Sequence, residues 1–392
     1  MASPKLRFKE FDRDWERSKL GNKAKFFQGE QVSLDDQYIA CEEGLIKFLR
    51  IENFTQNSKD FRFIKYDGSP EKILCKEDIA IVRYGATAGF IGSDEEGVIA
   101  NNLFKVVADS KIINQKYLKL ILKSDKTFNY FQSEMSGGAM PALNFKIVGN
   151  LDIAFPCLEE QAKIASFLSA VDEKINLLTQ KHELLSQYKQ GMMQKLFSQQ
   201  IRFKADDGSE FGEWSQRELK EVAQINPKTK TLPKNFIYID LESVEKGQLL
   251  LEKNITLSEA PSRAQRLLAK GDVLFQMVRP YQQNNYYFNL DGGYVASTGY
   301  AQIRTELNSK FIYYALHGKV FLDEVLNHCT GTSYPAINSS DLSSIEIEIP
   351  CLEEQTKIAN FLTVIDQKIA GVAQKIEQAK QWKKGLLQQM FV

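Results

Sequence analysis

The chain has 392 residues, enough for two or three domains, and its 43% hydrophobic and 26% charged content fits a globular protein rather than a disordered or fibrous one. Its 50 Lys and Arg balance 50 Asp and Glu. A net charge of zero excludes a generally basic coat for nucleic acid and leaves only local patches open.

The first residues, MASPKLRFKEF, contain no apolar signal region, and no uninterrupted apolar run approaches the ~18 residues of a membrane span. The expected location is cytoplasmic, with no membrane partner. Cys41, Cys75, Cys157, Cys329 and Cys351 are scattered without a CxxC pair, as in a reducing compartment, and Cys157 and Cys351, each beside a proline, are expected to pack rather than bond.

Leu6, Arg7, Phe8, Phe11, Trp15 and Leu20 lead into a first globular region, residues 20–155. Its short apolar runs are Ile73–Leu74, Ile79–Val82, Phe90–Ile91, Val98–Ala100 and Leu103–Val107, separated by charged and Gly-rich turns. They predict a strand-rich, curved sheet. Lys116 to Met135 predicts one helix, and a Gly-rich loop, Ser136 to Asn144, precedes a last strand.

Pro156 to Phe197 then predicts a long helix. Ile164, Leu168, Val171, Ile175, Leu178, Leu185, Met192 and Leu196 follow a three-four spacing, with His182 and Lys189 in the skipped places. This is an a/d heptad seam. Glu159 and Glu160 occupy the first turn, where negative charge suits the helix dipole. About 40 residues at ~1.5 Å each span roughly 60 Å.

The whole plan then repeats. Pro350 to Phe391 matches Pro156 to Phe197 without a gap, 194 residues on, with 22 of 42 positions identical. Ile358, Leu362, Ile365, Ile369, Val372, Ile376, Ala379, Leu386 and Met390 form its seam, with Lys383 in a skipped place and Glu353 and Glu354 in the first turn. Ile201, Arg202, Phe203, Phe211, Trp214 and Leu219 repeat the opening. Lys270-Gly-Asp272 matches Lys76-Glu-Asp78, Ser309 to Asn327 matches the earlier helix, and Thr330 to Asn338 matches the earlier loop. Within the globular regions the loops diverge: Arg83-Tyr-Gly-Ala-Thr-Ala-Gly89 stands where the second copy has Arg279-Pro-Tyr-Gln-Gln-Asn-Asn285. The seams fit either a coiled coil between two chains or a pairing of both copies within one chain, as a spacer between two differently furnished α/β (α+β) domains.

The Pro-x-Leu-x-Glu-Gln start of a long helix occurs twice, as Pro156, Leu158, Glu160, Gln161 and Pro350, Leu352, Glu354, Gln355. With the opening from Pro4 to Trp15 and the two Gly…Pro-Ala-Leu/Ile-Asn loops, it resembles the specificity subunit of type I restriction–modification enzymes over essentially the whole chain. The resemblance implies target recognition domains at 1–155 and 199–349. It implies conserved helices at 156–198 and 350–392, paired as an antiparallel coiled coil with pseudo-twofold symmetry. Each domain would read half of a bipartite, asymmetric site in double-stranded DNA. The helices would fix the gap and dock two methylation subunits, with two restriction subunits completing the complex. S-adenosylmethionine, ATP and Mg would act in those partners, and this chain would hold no cofactor.

The residues themselves offer no catalytic motif. The adenine-methylation motif Asn/Asp-Pro-Pro-Tyr/Phe is absent, Asn226-Pro227-Lys228 being the nearest string, and there is no Walker loop. Gly85 to Gly89 lacks the lysine of a phosphate loop. His182, His317 and His328 have no neighbours at metal spacing. Asp172-Glu173-Lys174 reads as a solvated charge run. Candidate base readers are Arg83, Tyr84 and Thr87 in the first region and Arg279, Tyr281, Gln282, Gln283, Asn284 and Asn285 in the second, since Arg suits guanine and Asn or Gln suits adenine. A surface ion pair is the competing role for both arginines. Ser136, Gly137, Gly138, Thr330, Gly331, Thr332 and Ser333 form loops whose backbone N–H groups suit phosphate, or serve simply as turns. A coiled-coil scaffold that binds only protein is the alternative function.

Overall fold

The computed structural model describes residues 4–135, 142–229, 231–331 and 333–391. They form two compact units: Met1–Leu178 with Lys375–Val392, and Thr179–Gln374. The long helices are unbroken, Leu158–Phe197 and Leu352–Met390, and each passes from one unit to the other.

Both units share one sheet topology. In the first, Ala24–Gln28, Leu103–Ala108, Ile79–Val82 and Ile91–Gly92 lie side by side as an antiparallel sheet. A second sheet has the order Arg62–Lys65, Leu45–Leu49, Gly97–Ile99, Ile73–Leu74, with its middle pair parallel. In the other unit the corresponding orders are Gln224–Ile225, Tyr300–Arg304, Val273–Gln276, Tyr286–Tyr287 and Lys253–Thr256, Asn235–Ile239, Tyr294–Ser297, Ala264–Leu267, again with the middle pair parallel. One difference stands out: where the first unit has the short helix Ile51–Thr55, the second has a hairpin, Val244–Glu245 with Gln248–Leu249. The matched turns hold the same way. Asp78 accepts the Cys75 N–H and pairs with Lys105, while Asp272 accepts the Ala269 N–H and pairs with Arg304.

The seam forms as its spacing predicts. Ile164, Leu168 and Val171 are buried with Leu386 and Met390 in the first unit, and Ile358, Leu362 and Ile365 with Leu196 in the second; Ile175 and Ile369 pack at the margins of these cores. Val372 is buried and Leu178 half-buried. Lys383 Nζ lies 2.5 Å from Asp172 Oδ1 in one unit, and Lys189 Nζ 2.6 Å from Asp366 Oδ1 in the other. In both, the partners' residue numbers add to the same total, so the helix segments run antiparallel in a single register. Asp172 thus pairs with a seam lysine while half-exposed, and Glu173 and Lys174 beside it are exposed, as a solvated charge run requires.

The Glu-Gln pair at each helix start has a structural task. Glu160 and Glu354 are fully buried, and each takes two hydrogen bonds from an opening arginine: Arg7 at 2.8 and 2.7 Å, Arg202 at 3.1 and 2.7 Å. They stand in the first turn of each helix, as expected, and are buried in these pairs. Gln161 Nε2 donates to Pro156 O at 2.8 Å and Gln355 Nε2 to Pro350 O at 2.9 Å. Their Oε1 atoms accept the N–H of Asn114 and Asn308, at 2.8 and 3.1 Å. Those asparagines cap the helices Gln115–Leu122 and Ser309–Ala315.

Other expectations need correction. The single helix predicted over 116–135 is two, Gln115–Leu122 and Asp125–Met135, because Ser124 caps the start of the second and its hydroxyl accepts the Thr127 N–H. Its counterpart breaks at Gly318 into Ser309–Ala315 and Lys319–Asn327. A short helix, not a strand, directly follows each Gly-containing loop: Phe145–Gly149 capped by Asn144, and Ser339–Ser344 capped by Asn338. All five cysteines are free, and Cys351 is exposed rather than packed. Among the described residues no helix is long and apolar enough to cross a membrane.

Candidate nucleic-acid interface

In each unit the structure brings the two candidate loops together. Tyr84 bridges to Ala142, and Val278 to Ala336. Leu143 N–H donates to Arg83 O at 2.8 Å, and Ile337 N–H to Met277 O at 3.0 Å. These contacts fix the true correspondence. Tyr84 matches Val278, so Arg83 matches Met277 and Arg279 matches Gly85. The two arginines thus stand two residues out of register and reach the surface from different backbone positions.

Arg83 stacks its guanidinium 4.6 Å from the Tyr84 ring and 4.6 Å from the Phe104 ring, while Nη1 donates to Asn101 O at 3.2 Å. Its Nε is buried without a hydrogen-bond partner. Tyr84 is 39% exposed, and Thr87 is exposed. Gly85 and Gly89 have φ of 85° and 91°, values that a Cβ disfavours, and they let the loop fold back so that Gly89 N–H reaches Val82 O at 2.9 Å. Ser136, Gly137 and Gly138 lie outside the described residues.

Arg279 lies 4.2 Å from the Tyr334 ring, and its Nε is likewise buried without a partner. Among the described residues neither arginine makes an ion pair, so the competing surface-pair role finds no carboxylate. Tyr281 and Tyr334 are 50% and 64% exposed. The amides are more occupied than their sequence suggests. Gln282 Oε1 accepts from Gln276 at 2.9 Å, and Gln283 Nε2 points to His317 O at 3.4 Å. Asn284 Oδ1 accepts the Lys246 N–H at 3.0 Å, and Asn285 is buried with its Oδ1 on the Gln276 N–H at 2.8 Å. Thr330 and Ala336 exchange backbone hydrogen bonds at 2.9 and 3.0 Å, so the Thr330 N–H is already satisfied. Gly331 has φ 89°, Ser333 is exposed, and Thr332 lies outside the described residues.

Sequence reasoning missed Tyr334 and Phe104 as stacking partners, and Gln276 and His317 behind the second loop. One signal was there: Gln276 interrupts the apolar run Val273 to Val278. His317 lies against Tyr313, with ring centroids 4.6 Å apart, and burial pushes its pKa down to about 4, partly opposed by its Nδ1 hydrogen bond to Tyr313 O at 2.7 Å. Lys189 lowers it further and Asp366 raises it. An unfolded histidine titrates near ~6.5, so the unfolded chain takes up this proton first as pH falls. The second unit is therefore expected to lose on the order of 2–3 kcal/mol between about pH 6.5 and pH 4, and none above that window. Urea unfolding across this range should show the slope, and His317→Gln should remove this contribution to it.

Comparison with known proteins gives a consistent picture. The family model described as the type I restriction modification DNA specificity domain matches twice, at residues 12–187 and 212–381. The type I restriction enzyme MjaVIII specificity subunit of Methanocaldococcus jannaschii is 28% identical over 395 residues, covering 95% of this chain and 91% of that protein. The HindI specificity subunit of Haemophilus influenzae is 29% identical over 191 residues, 47% of this chain and 40% of that one. Among solved structures, the S subunit of a type I restriction–modification system from M. genitalium matches at TM-score 0.62 and 17% identity, over 100% of this chain and 99% of that chain. At that identity the likeness is one of fold.

Proposed function

Because the chain belongs to the type I restriction modification DNA specificity family, we propose that its recognition domains, residues 1–155 and 199–349, each read one half of a bipartite, asymmetric duplex site through the Arg83 and Arg279 loops. The helices at 156–198 and 350–392 set the gap and dock two methylation subunits, and two restriction subunits complete a cytoplasmic complex. Methyl transfer from S-adenosylmethionine to adenine, and ATP- and Mg-dependent cleavage, belong to those partners, while this chain supplies recognition without catalysis.

One observation carries this reading. In each unit an arginine without an ion pair is stacked on an exposed tyrosine where two loops meet. The ring contact steadies each guanidinium; Nε is buried in both and Arg83 Nη1 is held by Asn101 O, which leaves the remaining Nη groups as the donors that would reach guanine O6 and N7. Arg83→Ala and Arg279→Ala, in the complex with methylation subunits, should each weaken cognate DNA binding by about 1–3 kcal/mol, roughly 5- to 150-fold. Discrimination should fall at one half-site only. A uniform loss across sequences with a shallower salt dependence would mark a phosphate contact instead, and normal cognate binding by both variants would defeat the choice of loops.

A further inference from the structure

The first unit shapes its loop with glycines; the second does so with a buried polar network. Arg279 and Gln283, at the two ends of the turn Pro280–Gln282, both adopt left-handed backbone conformations, φ 54° and 52°, that side chains with a Cβ disfavour. Gln276, buried on the strand Val273–Gln276, holds that turn from behind. Its counterpart in the first unit is Val82, which has no side-chain polar atom.

The orientation of the network follows from its fixed backbone groups. The Asn284 N–H can only donate, and Gln276 Oε1 accepts it at 3.1 Å. Gln276 Nε2 must then donate, and it does so to Val278 O at 2.8 Å and to Gln282 Oε1 at 2.9 Å. Asn285 closes the set, with Oδ1 on the Gln276 N–H and Nδ2 3.5 Å from His317 Nε2. His317 Nδ1 donates to Tyr313 O, which leaves Nε2 as the acceptor for that amide. The exposed Gln282 is thereby fixed with its oxygen inward and its amide N–H groups outward.

We infer that Gln276 is a positioning residue for specificity: it holds Gln282 as a donor-only probe and directs it to an acceptor-bearing base edge, guanine N7 and O6 above all. A free glutamine offers one donor and one acceptor, the pattern that suits adenine N6 and N7. Holding its oxygen inward on Gln276 turns the acceptor away from the DNA and so disfavours the adenine pairing. The inference rests on the proposed reading by the Arg279 loop.

The test uses the full complex with methylation subunits and a duplex library carrying two randomised blocks separated by varied spacers, with bound or methylated sequences read out. Gln276→Leu removes the donor and should relax one base pair of the second half-site, with adenine gaining about tenfold relative to guanine. Gln276→Glu offers only acceptors, so Gln282 should turn its N–H inward and its oxygen outward. Preference should then move toward donor-bearing edges, adenine N6 or cytosine N4. The first half-site should not change with either variant. Gln282→Ala separates the possible failures. If it leaves every second half-site preference intact while Arg279→Ala relaxes one, Gln282 reads no base and the inference is overturned; if neither variant alters a preference, the reading by this loop is wrong. If it abolishes a preference that both Gln276 variants retain, the positioning role is overturned. A uniform loss of binding in the Gln276 variants, with the second half-site's preferences unaltered, overturns it as well, because that is what a purely structural residue would give.

Discussion

Arg7→Ala lowers the stability of the first unit by about 3–5 kcal/mol, the expected cost of leaving a buried charge without its partner. Glu160 is fully buried, and among the described residues its side chain has no hydrogen-bond donor other than Arg7, whose pKa is raised by that hydrogen bond. The arginine also ties down the opening segment, since Nη2 donates to Arg13 O at 2.6 Å. The same substitution in the second unit should cost less. There Glu354 keeps Trp214 Nε1 at 3.1 Å after Arg202 is removed, whereas Trp15 Nε1 is buried without any partner. Native-state hydrogen exchange, followed peptide by peptide, separates the two units. Protection across the first unit should fall by two orders of magnitude or more in Arg7→Ala, with the second unit unaffected, and by a smaller factor across the second unit in Arg202→Ala. Arg7→Leu with Glu160→Leu should recover most of the loss, because a well-packed apolar pair replaces an ion pair at little cost. Equal losses in the two units would mean that the indole contact contributes nothing.

This arginine–glutamate clamp shows where sequence reasoning stopped. The partners are 153 residues apart, and no local pattern joins them. What the sequence made legible was periodic or repeated: the long helices, their seams and the constant 194-residue offset, together with the strands at Ile73–Leu74 and Ile79–Val82. A period survives substitution because each position answers to the same buried face. The loops have no period. Matching arginine to arginine paired Arg83 with Arg279, while backbone bridges pair Tyr84 with Val278 and so displace the two by two residues. Helix breaks were hidden for a related reason. The apolar side of 116–135 continues past Ser124, and only the hydrogen bonds of Ser124 and Thr127 reveal the stop. Amides looked free for base reading because sequence cannot say whether Asn285 faces solvent or Gln276. The division between units falls within both helices, at Leu178 and Thr179 in one and Gln374 and Lys375 in the other, where composition does not change at all.

Inserting one heptad after Leu178, with a matching one after Val372, is expected to raise the gap that the complex prefers between half-sites while leaving both half-site sequences intact. Each long helix is continuous from one unit into the other, so added helical length is added separation along it. Seven residues keep the apolar seam in phase, lengthen each helix by about 10.5 Å, and turn a straight helix by only ~20°. At ~3.4 Å per base pair the gap can grow by at most about three base pairs. Twist argues for fewer. With about 10–10.5 base pairs per turn, three extra pairs swing one half-site by nearly a third of a turn, far more than the inserted heptad supplies. An increase of one or two base pairs therefore satisfies length and rotation best. Single insertions should behave differently from the matched pair. A heptad in one helix alone leaves seven residues unpaired across the seam, puts Lys189–Asp366 and Lys383–Asp172 out of a common register, and should weaken the complex instead of retuning it. Methylation of a target library with graded gaps gives the readout. An unchanged optimum would mean that the methylation subunits, not the helices, set the spacing. Altered half-site sequences would mean that the helices also contact bases.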